Sequence, residues 1–244
     1  MDKLKQQLDT LLSSLENATE IQAALLRQNS VYPFNNIEHI IVHLIALNKL
    51  TLEEYEDMRT EYLSRNKYLY LFEISAPRGF GEVWAQKHLK DLVSTLQSLN
   101  KRSDSKYSGQ YDFFLPPSIR IEVKASRAVE FQTDKPLYLK ALSSNSSKPF
   151  DMNFQQIKPA CCDVFVWIAV WRDVIKYWVI PSFEVENNLF YSKGQHRGNI
   201  GEGQLHLNQD NIYQFDKYLA NPMNFEEAII SAFNKEIKSR NFSS

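Results

Sequence analysis

The segment CCDVFVWIAVW at residues 161–171 narrows the possible folds more than any other part of this chain. It is an almost continuous apolar run, too short for a membrane span and rich in strand formers, which suits a β-strand buried on both faces. A second strand, Lys176 to Ile180, comes at once and closes at Pro181. Together with the strands read upstream, the pattern predicts an α/β core: a mixed central sheet of at least four strands with helices packed around it.

Upstream, YDFFLPPSIRIEVKAS spans Tyr111 to Ser126. Side chains on a strand repeat every two residues, so Ile119, Ile121, Val123 and Ala125 share one face while Arg120, Glu122, Lys124 and Ser126 share the other. Leu115, Pro116, Pro117 and Ser118 form a turn-like segment between two strands. Asp112 and Glu122 lie ten residues apart across that turn, so an antiparallel hairpin brings the two carboxylates together. Crowded carboxylates repel, and the arrangement is tolerable with a cation between them or a raised pKa. Mg²⁺ suits such a pair because it takes few carboxylates and keeps waters for a phosphate and a nucleophile. Lys124 can point at the same phosphate or at the attacking water.

These residues resemble the PD-(D/E)XK nuclease superfamily, most closely its type II restriction endonucleases. Asp112, Glu122 and Lys124 match the motif, and Tyr111 stands where the motif's name has Pro. The resemblance implies a restriction-endonuclease-like core in which Asp112 and Glu122, with the Val123 carbonyl, bind one or two Mg²⁺. It assigns Lys124 the task of positioning or activating water. Related nucleases often carry a Glu on the helix before the catalytic hairpin, which implies a metal-facing role for Glu82. They also place a helix after the Glu-x-Lys strand, where Gln155 or Gln156 would face the site.

The chain has 244 residues and a formal net charge of −1, which argues against indiscriminate nucleic-acid coating. Its charge is unevenly spread: residues 1–62 carry 5 basic against 10 acidic side chains, and the remainder 23 against 19. A DNA contact surface would therefore lie on the C-terminal two thirds, with Arg120, Ser126 and Arg127 flanking the motif as candidates. No run approaches the ~20 apolar residues of a membrane span, and MDKLKQQLDTLL lacks a signal-peptide layout. Adjacent Cys161 and Cys162 offer neither a disulfide framework nor a zinc spacing and read as core thiols. The expectation is a cytoplasmic protein.

Residues 1–75 read as a helical N-terminal region, with Leu4, Leu8, Leu11, Leu12 and Leu15 at helical spacing, an apolar run after Asn36, and a capping box from Thr51 to Glu54. Tyr55, Met58 and Tyr62 continue the last stripe. His39 and His43 lie one turn apart but have no third ligand nearby. Residues 76–244 read as the nuclease core. Its first helix is expected to turn Val83, Leu89, Leu92, Val93 and Leu96 inward, and its last to turn Phe225, Ile229, Ile230 and Phe233.

Between Ser192 and Asn211 lie four of the seven glycines, together with Gln195, His196, Arg197, Asn199 and Gln204. Such side chains read base edges, Arg to guanine and Asn or Gln to adenine, so this segment is the expected recognition element. The reading is a Mg²⁺-dependent endodeoxyribonuclease that cuts double-stranded DNA at a short sequence. It would act as a homodimer, alongside a DNA methyltransferase that protects the host genome. A structure-specific repair or junction-resolving nuclease, and an inactive DNA-binding protein of the same fold, are the alternatives.

Overall fold

The computed structural model describes residues 2–26, 36–98, 111–195 and 199–242. The chain divides into two compact units, Met1–Asn66 and Lys67–Ser244. In the first lie helices α1 (Asp2–Ser13), α2 (Ala18–Leu26), α3 (Asn36–Ala46) and α4 (Leu52–Arg65). Leu8, Leu12 and Leu15 of the first stripe are buried with Leu44 and Leu50, and Tyr55 and Met58 pack against them. The Thr51 hydroxyl accepts from the Glu54 N–H at 3.2 Å while the Thr51 N–H donates to the Glu54 carboxylate at 2.8 Å. This reciprocal cap stabilises the start of α4 by about 1 kcal/mol. The helical unit ends at Asn66 rather than at 75, because Leu71 and Phe72 belong to the core of the second unit.

Among the described residues the second unit holds nine strands: β1 (Gln97–Ser98), β2 (Phe113–Leu115), β3 (Ile119–Arg127), β4 (Val129–Glu130), β5 (Phe150–Ile157), β6 (Val164–Val170), β7 (Ile175–Pro181), β8 (Tyr191–Gln195) and β9 (Asn199–Asn208). Its helices are α5 (Gln86–Leu92), entered through a π-helical turn at Gly79–Ala85, α6 (Leu137–Lys140), α7 (Ser182–Glu186) and α8 (Phe225–Phe242). The protein is thus mixed α/β. Five strands form a mixed sheet in the order β1-β2-β3-β6-β7, parallel only between β3 and β6.

All seven residues of β6 are buried, as its unbroken apolar run requires. Val164, Val166, Ile168 and Val170 enter one core with Leu89 of α5 and Phe225, Ile229 and Ala232 of α8. Phe165, Trp167 and Ala169 enter a second core. A four-stranded antiparallel sheet, β4-β5-β9-β8, covers that second face through Met152, Phe154, Leu205 and Leu207. This layer departs from the expectation of helices around a single sheet.

Three local expectations are corrected. The π-helical turn adds a residue per turn and rotates the faces of the helix downstream. Phe80, Ala85 and Leu89 therefore point inward while Val83 is 66% exposed, and the helix stops at Leu92, before the buried Val93 and Leu96. In α8 the buried stripe runs Phe225, Ile229, Ala232 and Glu236, which leaves Ile230 42% exposed. Finally, residues 150–157 form strand β5 rather than a helix.

Candidate active site

Pairing of Leu115 with Ile119 closes the β2–β3 hairpin around residues 116–118, as the turn composition suggests. Just before β2, the Asp112 N–H donates to the Ile121 carbonyl at 3.0 Å, which extends the ladder by one bond. The Asp112 side chain then curls along the strand edge. Its Oδ2 accepts from the Val123 N–H at 2.7 Å, and its Oδ1 accepts from Gln86 Nε2 at 2.6 Å. Backbone N–H and C=O of alternate strand residues point the same way, so the Val123 carbonyl faces this same edge.

Glu122 and Lys124 flank Val123 and pair with each other, Nζ to Oε1, at 2.6 Å. Their strand partners in β6 are Phe165 and Trp167, both in the second core. Glu122 and Lys124 therefore emerge on the face of the central sheet that looks toward β5. Both are mostly buried, with 15% and 18% of their side chains exposed.

Burial, above all, pushes the Glu122 carboxyl up from 4.5 to about 7, and the nearby Asp112 charge adds to that while Lys124 opposes it. Asp112 is also raised, again chiefly by burial; the Val123 N–H and Lys124 pull it back, and Glu82 adds to the rise. Each of the two carboxyls thus affects the other's protonation. Such a pair holds a proton or takes a cation.

The site opens into a cleft of about 1040 Å³. Four cationic residues line it, Arg78, Lys124, Arg127 and Lys158, against four anionic ones, Glu82, Asp112, Glu122 and Asp151. The formal charges on the walls therefore balance, and an added cation would make the cleft positive. Among the described residues no group of three or more His, Cys, Asp or Glu side chains is poised around one point. The oxygen donors gathered here, two carboxylates and a strand-edge carbonyl, fit Mg²⁺, which keeps several waters and is bound through one or two carboxylates.

Of the other expected site residues, Glu82 lines the cleft but is exposed and pairs with Arg78 at 3.2 Å. Gln86, one helical turn further on, is the residue that reaches Asp112, and the i+4 spacing was the signal that could have found it. Ser126 lines the cleft. Arg120 is bound at both ends to Asp163, Nε at 3.0 Å and Nη2 at 2.7 Å. Arg127 lies over the Phe80 ring at 4.3 Å and donates to the carbonyls of Leu71 and Ile74 at 2.9 and 2.7 Å. Arg120 is thus held by Asp163, and Arg127 Nη1 by two backbone carbonyls, while Arg127 also lines the cleft.

His196 and Arg197 lie outside the described residues, and Gln195 and Asn199 are placed only as paired backbone in β8 and β9. Gln204 sits on β9, where its Oε1 accepts from Asn153 Nδ2 at 3.4 Å. Gln155 and Gln156 line the cleft from β5, together with Asp151, Asn153 and Lys158, which sequence reading passed over. Of the two neighbouring thiols, Cys162 is buried against the Ser182 hydroxyl. No described helix is long and apolar enough to cross a membrane.

A scan against protein-family models finds no match to this chain, and a search of curated proteins finds none.

Proposed function

We propose that this protein is a Mg²⁺-dependent endodeoxyribonuclease of the PD-(D/E)XK type, acting as a type II restriction endonuclease. The observation that carries the reading is that Asp112 and Glu122, each raised by burial and influencing the other, line one open cleft beside Lys124. A neighbouring acid pair that is desolvated is costly in a merely structural role. Here it is matched to a hard cation.

In this reading Asp112, Glu122 and the Val123 carbonyl hold Mg²⁺. When bound, the ion lowers the pKa of a water and neutralises charge on the phosphate. Gln86 and the Val123 N–H fix the rotation of the Asp112 carboxylate, so its free lone pairs stay aimed at one point. Lys124 leaves its partner Glu122 for a non-bridging phosphate oxygen or the attacking water. The water gives up a proton to solvent and its oxygen bonds to phosphorus as the bond to the leaving sugar oxygen breaks, and that oxygen takes up a proton from solvent. Lys158, which lines the same cleft and pairs with Glu202 at 2.9 Å, supplies a second positive charge for the phosphate backbone.

Cutting both strands of a twofold site takes two centres, which a homodimer supplies by symmetry. A DNA methyltransferase would protect the host from such an enzyme. The test is incubation of the purified protein with unmethylated plasmid or phage DNA, with Mg²⁺ or with EDTA, alongside Lys124→Ala. Discrete Mg²⁺-dependent fragments that disappear in the variant are the expected outcome. A smear or intact DNA would overturn the restriction reading.

A further inference from the structure

We infer that sequence discrimination resides on the polar face of the second sheet, on Asp151, Asn153 and Gln155 of β5 and Gln204 and His206 of β9, and that this face meets base edges of a duplex seated in the acid cleft. The inference rests on the nuclease reading above and moves recognition away from the tip of the β8–β9 hairpin.

Alternation builds the face. Met152 and Phe154 of β5 pair with Leu207 and Leu205 and point into the second core, so Asp151 and Asn153 point the other way with His206, the strand partner of Asn153. Beyond Phe154 the register with β9 slips before Ile157, and Gln156 takes φ 55°. A bulge of this kind re-aims side chains, and Gln155 and Gln156 are both exposed.

Cross-strand contacts hold part of the row in place: His206 Nδ1 lies 2.9 Å from Asp151 Oδ1, and Asn153 Nδ2 donates to Gln204 Oε1 at 3.4 Å. One acceptor is left over. Asn153 Oδ1 is shielded from solvent and has no hydrogen-bond partner among the described residues, which is costly unless a ligand supplies a donor.

The row is continuous with the chemistry. Asp151, Asn153 and Gln155 line the same cleft as Asp112, Glu122 and Lys124. Amide side chains offer a donor and an acceptor at fixed spacing, the match for adenine N6 and N7, while a carboxylate accepts from cytosine N4. Lys158, paired with Glu202 at 2.9 Å beside the row, is the phosphate-side contrast: a backbone contact positions the duplex and carries no sequence information.

The experiment is selection of bound duplexes from a pool with a randomised central segment, using the full chain with Ca²⁺ in place of Mg²⁺. Wild type is compared with Asn153→Ala, Gln155→Ala and Lys158→Ala, and melting is recorded for each. Wild type should enrich one motif. Asn153→Ala and Gln155→Ala should each lose preference at one or more positions, lowering the ratio of selected to random duplex affinity about tenfold. Lys158→Ala should weaken both duplexes alike. Because Gln155 is exposed, its variant keeps the test open even if Asn153→Ala fails to fold. A motif and ratio unchanged in Gln155→Ala and in any folded Asn153→Ala would overturn the inference, as would no enrichment by wild type. Plasmid cutting in Mg²⁺ separates the two ideas: cutting with an unmoved motif sinks this inference alone, whereas a shifted motif without cutting sinks the nuclease reading.

Discussion

Gln86 Nε2 donates to Asp112 Oδ1 at 2.6 Å, from the first residue of α5 onto the edge of the β2–β3 hairpin. The other carboxylate oxygen accepts from the Val123 N–H, so the group has no freedom to rotate. A hydrogen bond to a charged group contributes ~1.5–3 kcal/mol. Gln86→Ala should therefore slow cutting by about ten- to a hundredfold and lower Tm modestly while DNA affinity holds, as single-turnover kinetics on a one-site duplex and a thermal melt would register. A rate within about twofold of wild type would remove Gln86 from the site.

A second prediction concerns pH. Glu122 titrates near 4.5 when unfolded and at about 7 in the folded chain. Between those values the folded protein keeps a proton that the unfolded chain has released, so stability falls as pH rises through that window. In EDTA, Tm should drop from pH 5 to pH 8 by the equivalent of about 2–3 kcal/mol, and Glu122→Gln should flatten the profile. Added Mg²⁺ should raise Tm at pH 8 and do little at pH 5, because it competes with the proton. A flat wild-type profile would show that Glu122 ionises as an ordinary carboxylate.

Arg127 separates a structural arginine from a DNA-binding one. It caps the Leu71 and Ile74 carbonyls and stacks on Phe80, so Arg127→Ala should cost about 2–4 kcal/mol in urea unfolding. Were it a phosphate contact instead, stability would hold and the salt dependence of DNA binding would fall by about one unit of slope.

Gly203 lies where β9 crosses between β5 and β8, paired with Ile157 on one side and Lys193 on the other. A Cβ added there would stand 2.2 Å from Tyr191 Cε2. Gly203→Ala should displace that ring, loosen the Tyr191 hydroxyl from the Ile157 carbonyl, and destabilise the protein by about 1–3 kcal/mol in a thermal melt. An unchanged melt would mean the ring swings aside freely.

What sequence could and could not convey differs by element. The apolar run of β6, the alternation of β3 and the Thr51–Glu54 cap are local patterns, and each is present. The alternation of Asp151, Met152, Asn153 and Phe154 was equally local, but analogy with related nucleases put a helix there and hid strand β5. The π-helical turn left no compositional trace, so the inward face after Gly79 was misplaced at Val83. The partners of Arg127 lie 53 and 56 residues away; its neighbours in sequence say nothing of them. Within the candidate site the acid pair and the lysine were legible, whereas Gln86 was overlooked beside the more chargeable Glu82.

Phe165, Trp167 and Ala169 separate the central sheet from the second sheet, and they are the same-face neighbours of Glu122, Lys124 and Ser126 along β3. Their combined bulk sets how far the row of amides stands from the acids. On the proposed reading, those three core side chains form a ruler for the offset between the bases that are read and the phosphate that is broken. A lineage could then move its cut along the duplex by resizing buried residues that never touch nucleic acid.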